Sequence, residues 1–255
     1  MTTRVLRSGG YAPAATAQGE SERRRAAVPE LGVVVVTGGA SGLGQAIAQG
    51  VAEHGGTPVV LDLNAPRDGF EFERLDLARS REAEAAVQRV ADRHGRLDAV
   101  VTAAGTDRCG TLADVPAEDW ERVIAVNLVG TAAVVRAALP HLERCSGRVV
   151  TVASTLGLRA LSDATAYCAS KFGVIGFSRA LAAELAGRVG VTCLIPGGMR
   201  TGFFDGREER YKPPPDADLA PPERVGEAVL FALTRPPGAE VRELVVCPSR
   251  ESSWP

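Results

Sequence analysis

Residues 33–44 read Val33-Val34-Val35-Val36-Thr37-Gly38-Gly39-Ala40-Ser41-Gly42-Leu43-Gly44, and a helical pattern over Gly44–His54 follows. Four consecutive β-branched residues predict a strand buried on both faces. Glycines between such a strand and a helix let backbone N–H groups approach an anion, and the helix N-terminus adds its positive end. A glycine cluster alone is a weak signal, and a purely structural turn also explains it. The strand before and the helix after are the context that a phosphate-binding turn requires.

The same alternation continues along the chain. Strands are expected at Pro58–Asp62, Glu71–Leu75, Leu97–Ala103, Arg148–Ala153, Val191–Ile195 and Val241–Cys247. Helical periodicity covers Ser80–His94, Glu118–His141, Ala166–Arg188 and Pro222–Thr234. Strands alternating with helices predict parallel pairing through crossovers, hence a doubly wound, Rossmann-type α/β sheet of about seven strands in one domain spanning 31–255. Thr201–Pro222 breaks the rhythm with Phe203, Phe204, Tyr211 and the run Pro213-Pro214-Pro215, and reads as an insertion over the sheet edge and the substrate. Residues 1–30 carry Arg23-Arg24-Arg25 without an apolar run behind them, so a mobile N-terminal tail is expected rather than a signal peptide.

Composition narrows the function classes. The chain has 255 residues, of which 45% are hydrophobic, enough for a sizeable core and unlike a disordered chain. Its 29 basic and 31 acidic residues nearly cancel, which argues against nucleic-acid binding by overall charge. Leu31–Ala52 is the longest uncharged stretch, but its glycines, Ser41, Gln45 and Gln49 argue against a membrane span. The five Cys (109, 145, 168, 193 and 247) fit no metal spacing, and the three His neighbour no ligand cluster, so no metal is expected. Reduced thiols fit a cytoplasmic protein. Of the basic residues only Lys171 and Lys212 are Lys, which singles out each of them.

Two acidic residues mark the nucleotide end. Asp62 closes the second strand, where a carboxylate accepts hydrogen bonds from ribose hydroxyls and repels a 2′-phosphate. With Ala40, Ser41 and Leu63 neutral beside it, NAD is favoured over NADP. Asp76, after the third strand, is placed to meet the adenine edge, though an ordinary turn carboxylate reads the same way. At the other end, Tyr167 and Lys171 lie four apart on a predicted helix and share a face. A phenol with a reference pKa near 10 is a poor acid–base group at neutral pH, and a neighbouring cation stabilises its phenolate.

These residues carry a resemblance. Residues 31–247 resemble the short-chain dehydrogenase/reductase family of the classical type, through the Thr37–Gly44 turn, Asn127, Ser154, Tyr167-x-x-x-Lys171 and Pro196-Gly197 with Thr201 beyond. The resemblance implies an NAD(P)-dependent oxidoreductase that interconverts a ketone and a secondary alcohol by hydride transfer. Tyr167 is then the acid/base and Ser154 binds the substrate oxygen. Lys171 holds the nicotinamide ribose and lowers the Tyr167 pKa, and Asn127 supports a water in a proton relay. The implied cofactor residues are Gly38, Ser41, Gly42, Leu43 and Gly44 at the pyrophosphate, and Asp62, Asp76 and Leu77 at the adenosine. Ala104, Gly105, Tyr167, Lys171, Pro196, Gly197 and Thr201 are expected around the nicotinamide. Ser154, Leu156, Tyr167, Gly198 and Phe203 are expected at the substrate, and Arg159 offers an anion contact.

Three departures stand out. The fourth strand ends Thr102-Ala103-Ala104-Gly105 where the family has Asn-Asn-Ala-Gly, which puts hydrogen bonds at the sheet in question. The segment before the first strand is long, and the chain ends in Trp254-Pro255 instead of a Gly-rich segment. A 3-oxoacyl-[acyl-carrier-protein] reductase is an alternative, since Arg188 matches one carrier-docking Arg while the other falls at Cys145. A non-catalytic nucleotide-binding regulator is a second alternative, disfavoured because Asn127, Ser154, Tyr167 and Lys171 are all present. The expected partners are a small-molecule ketone or alcohol with an apolar body and a second copy of the chain, as homodimer or homotetramer, with no nucleic acid or membrane. The small residues Gly130, Ala132, Ala133, Ala137 and Ala138 on the first long helix permit the close approach such pairing needs.

Overall fold

In the computed structural model, residues 31–236, 238–251 and 253 are described. The expected N-terminal tail and Trp254 lie outside them. Seven strands form one sheet: β1 (Val33–Thr37), β2 (Thr57–Asp62), β3 (Glu71–Arg74), β4 (Ala99–Thr102), β5 (Arg148–Val152), β6 (Gly190–Pro196) and β7 (Glu243–Val246). Their order is β3-β2-β1-β4-β5-β6-β7, and every pairing is parallel. The helices are α1 (Gly42–Glu53), α2 (Ser80–His94), α3 (Ala117–Ile124), α4 (Thr131–Cys145), α5 (Thr165–Glu184) and α6 (Pro222–Leu233).

The continuous valine run of β1 is explained by the two cores it serves. Val33 and Val35 pack on one face with Val87, Val90, Val134, Ala138 and Leu181. Val34 and Val36 pack on the other with Ile47, Val51, Val225 and Val229. Successive side chains of a strand point to opposite faces, so a strand covered on both sides has no polar positions to spare.

The long helix expected over Glu118–His141 is interrupted. Its middle turn, Ala125–Gly130, is a π-helix that carries Asn127. The whole run Ala117–Cys145 is long and apolar enough to cross a membrane, yet Val123, Val126, Ala133, Val134 and Leu142 are buried within the fold. Several small residues on it serve this chain's own packing. A Cβ on Gly130 would lie 2.7 Å from the Leu77 carbonyl oxygen, and Ala133 and Ala138 are core.

The chain's direction across the sheet reverses at β1 and β4, the adjacent strands from which connections leave toward opposite edges. The carboxyl ends of such strands form a crevice between the diverging connections. The glycine-rich turn after β1 and the Thr102–Gly105 turn after β4 both open there, and β5, β6 and the 201–222 insertion extend the crevice toward α5.

Candidate active site

The crevice is a cleft of about 1420 Å³ that runs from the glycine-rich turn to the insertion. Its nucleotide end is built by backbone. Ser41 is the N-cap of α1, makes no side-chain capping bond, and leaves the first turn without an acidic residue. Gly38 has φ +70°, and a Cβ there would meet the Ala104 Cα at 2.7 Å. A Cβ on Gly44 would fall 2.1 Å from the Gly38 carbonyl oxygen. These two glycines are therefore required by the turn's own packing. Gly105 is different, because a Cβ there meets only Asn127 Oδ1 and Lys171 Nζ, each at an ordinary 3.6 Å. The chain's own packing leaves room for a side chain at Gly105, so its glycine keeps the cleft wall low for a bound group. An uncapped helix N-terminus, low glycine walls and a carboxylate at the far end fit a dinucleotide.

Asp62 lines this end and also holds the turn together. Its Oδ2 accepts from the Ala40 N–H at 3.1 Å and its Oδ1 from the Asn64 N–H at 3.0 Å. Asp76 accepts from the Ala78 N–H and pairs with Arg122 at 3.2 Å. Partial burial raises its pKa, but the Ala78 N–H and Arg122 outweigh burial and hold it below the usual carboxylate value. Arg122 also lines the cleft, and its lone place on α3 gave no sequence signal. Leu43 and Leu77 reach the cleft while lying mostly in the two cores.

At the other end, α5 presents Tyr167 and Lys171 from one face, as the four-residue spacing requires. Both are buried, with relative exposures of 9% and 4%. Lys171 Nζ donates to the Val152 carbonyl at 2.9 Å and stands 5.6 Å from the Tyr167 ring centroid. Ser154 follows β5, and its Oγ accepts from the Leu156 N–H at 3.1 Å. Burial pushes the Tyr167 phenol up to about 12, with a hydrogen bond from Ser154 working in the opposite direction. Burial also lowers Lys171 from 10.5 to about 8. The expected depression of the Tyr167 pKa by Lys171 is thus not what the fold's own groups produce. Removal from water disfavours the phenolate and the ammonium alike.

Asn127 sits beside this cluster but is committed to the β4 loop. Its Oδ1 accepts from the Thr106 N–H at 2.8 Å, and its Nδ2 donates to the Thr106 carbonyl at 2.9 Å and to Ser170 Oγ at 3.0 Å. Both side-chain N–H groups are used, one on the β4 loop backbone and one on the Ser170 hydroxyl. The departure at Thr102 has a visible consequence, since its hydroxyl is buried without a hydrogen-bond partner.

The remaining expected cofactor and substrate residues also reach the cleft, whereas Arg159, expected as an anion contact, does not line it. Pro196 ends β6, and Thr201 Oγ1 accepts from the Phe203 N–H at 3.3 Å while its Cβ faces Gly42. Gly198 donates its N–H to Glu251 Oε2 at 2.7 Å, and the same oxygen would lie 2.2 Å from a Cβ on Gly197. Glu251, from the C-terminal segment, gave no sequence signal. The insertion lies along the cleft mouth, not only at the sheet edge. Phe203 packs on Tyr167 with ring centroids 5.7 Å apart, and Tyr211 Oη donates to Asp163 Oδ2 at 3.4 Å. Arg207, also from the insertion, forms an ion pair with Asp107 at 3.0 Å. Arg207 gave no sequence signal. Arg188, the candidate carrier-docking residue, is engaged by Glu143. Among the described residues no cluster of His, Cys, Asp or Glu could hold a metal.

Residues 32–212 match the profile of the family described as short chain dehydrogenase. A D-threitol dehydrogenase of Mycolicibacterium smegmatis is 35% identical over 219 residues, covering 78% of this chain and 84% of that protein. Among solved structures, the ligand-free aldohexose dehydrogenase of Thermoplasma acidophilum superposes with a TM-score of 0.78 at 23% identity, covering 85% of this chain and 92% of that one. The alcohol dehydrogenase of Thermococcus sibiricus, complexed with 5-hydroxy-NADP, gives a TM-score of 0.75 at 25% identity, covering 84% and 95%.

Proposed function

This chain belongs to the short-chain dehydrogenase/reductase family, and from that premise we propose that it interconverts a ketone and a secondary alcohol, with NAD as cofactor and Tyr167 as the acid/base. The observation that carries the proposal is the cleft itself. One wall brings Tyr167, Ser154 and Lys171 together, and the opposite end is the glycine-rich turn with Asp62. The nicotinamide supplies or accepts a hydrogen together with both electrons of its C–H bond. In reduction, the Tyr167 phenol gives its proton to the carbonyl oxygen as negative charge develops there. Ser154, held by the Leu156 N–H and hydrogen-bonded to Tyr167, stands where its O–H would donate to the same oxygen. In oxidation the alcohol proton returns to Tyr167.

Lys171 is a positioning and binding group. One N–H is anchored on the Val152 carbonyl, and the others are available to ribose hydroxyls. Asn127 fixes the β4 loop that carries Gly105, along the wall where a nicotinamide ring would lie. The Asp62 carboxylate supports NAD over NADP, because its charge would repel a 2′-phosphate. D-threitol, which the mycobacterial relative acts on, is a small polyol, so such compounds belong in the substrate panel. We extend the same proposal to a cytoplasmic homo-oligomer. The five cysteines are free thiols, and the apolar side chains of Val129 and Phe172 are exposed beside the long helices.

Tyr167→Phe is the direct test, since it keeps the ring that packs on Phe203 and removes the proton. With NADH and any ketone the wild type reduces, kcat is expected to fall by about 1,000-fold. A variant within tenfold of wild type would show that the proton comes from elsewhere.

A further inference from the structure

We propose that Asp107 and Arg207 form a substrate-reading pair that selects alcohols and ketones bearing a hydroxyl on the carbon next to the reacting one. The inference rests on the oxidoreductase reading above. Asp107 follows the β4 turn and Arg207 comes from the insertion, so the pair spans the cleft beside Tyr167. Their side chains are only 6% and 16% exposed. Among the described residues, no other ion pair has both partners more than four-fifths buried.

Burying two charges costs several kcal/mol each, and a buried ion pair is a poor device for stability alone. The insertion has already a cheaper tie to the body through Tyr211 and Asp163. The surroundings hold Arg207 in one place. Its guanidinium carbon lies 4.9 Å from the Phe203 centroid and 4.8 Å from that of Phe204, and Phe203 packs on Tyr167. Asp107 is held by the Arg108 N–H at 2.7 Å and the Cys109 thiol at 3.4 Å. The Arg207–Asp107 contact is an ion pair without an aligned N–H, and among the described residues no other acceptor takes the guanidinium N–H groups.

A fixed set of donors beside a fixed acceptor calls for a group that both accepts and donates. A hydroxyl does both. An alkyl group would leave the pair desolvated and unmatched, and a carboxylate would meet Asp107 as a like charge. The redox step is unaltered: the reacting C–H leaves with its electron pair to NAD, the reacting O–H proton goes to Tyr167, and the neighbouring hydroxyl is only bound.

The test compares oxidation of butane-2,3-diol and butan-2-ol with NAD in the wild type, Arg207→Met and Asp107→Asn. The wild type is expected to favour the diol by about 100-fold in kcat/KM, the loss expected when a buried polar group is left without its partner. Either variant should bring that ratio to within about fivefold of unity. A role limited to fastening the insertion would depress both substrates together and keep the ratio, which would overturn the assignment. So would a wild-type ratio near unity, which decides the matter even if neither variant folds. Turnover of neither alcohol nor any ketone, in either direction, would overturn the oxidoreductase reading as well.

Discussion

Lys171→Met should make the protein more stable at neutral pH while abolishing turnover. The structure sets the size. Burial lowers Lys171 from 10.5 to about 8. A depressed Lys pKa means the fold disfavours the ammonium. Below pH 8 both states carry the proton and the folded state bears the full cost. Between pH 8 and 10.5 the unfolded chain still binds a proton that the folded chain has released, so stability rises with pH. A shift of this size corresponds to about 3 kcal/mol at pH 7, falling to about 1.5 kcal/mol at pH 9.5. Met has similar length, removes the charge and fills the space. It loses the Nζ bond to Val152, at about 1 kcal/mol, independently of pH. The net gain is then about 2 kcal/mol at pH 7 and about 0.5 kcal/mol at pH 9.5. Urea unfolding of both proteins at the two pH values measures the difference, and other titrating groups cancel in it. A difference that does not change with pH, or a variant less stable at both, would refute the reasoning.

Asp62→Asn keeps an oxygen for the Ala40 N–H and removes the charge, so the NADPH-to-NADH ratio of kcat/KM should rise about tenfold. An unchanged ratio would mean that charge repulsion does not set the cofactor preference. Gly44→Ala drives a Cβ toward the Gly38 carbonyl and should cost about 1–3 kcal/mol, seen as a Tm lowered by several degrees. Gly176→Ala, in α5 with nothing within 4 Å of its Cβ, should leave Tm level or slightly higher. Equal losses at the two positions would show that the crowding at the glycine-rich turn is not real.

Most of the fold was legible because its signals are local. The valine run of β1, the heptad-like spacing of α2 and the breaks at glycine each depend on residues a few positions apart. All seven expected strands are present, with shorter bounds at β3, β4, β5 and β7. The π-turn at Ala125–Gly130 was not legible, because it depends on where Asn127 must reach. That side chain bonds across to Thr106 and Ser170, 21 and 43 residues away, and the helix register yields to it. The insertion resisted for a similar reason. Its prolines excluded a regular helix, but its position is set by Arg207 on Asp107 and by Phe203 on Tyr167, contacts that no periodicity encodes.

The candidate catalytic cluster was legible as a set of residues and not as a set of charges. Tyr167 and Lys171 share a helix face, so their proximity follows from spacing alone. Their proton affinities follow from burial, which is a property of the assembled cleft. In water the phenol and the ammonium have nearly equal pKa values, whereas here the phenol holds its proton more tightly and the ammonium less. At neutral pH the fold therefore presents a protonated Tyr167, the form that ketone reduction would consume under the proposed mechanism. Under the same mechanism, oxidation would require a phenolate that this environment disfavours. The same low-polarity surroundings raise the cost of leaving Asp107 and Arg207 unmatched. Burial, to which Phe203 of the insertion contributes by packing on Tyr167, raises the phenol's pKa, and on the proposed reading it would also set the penalty for a poorly matched substrate.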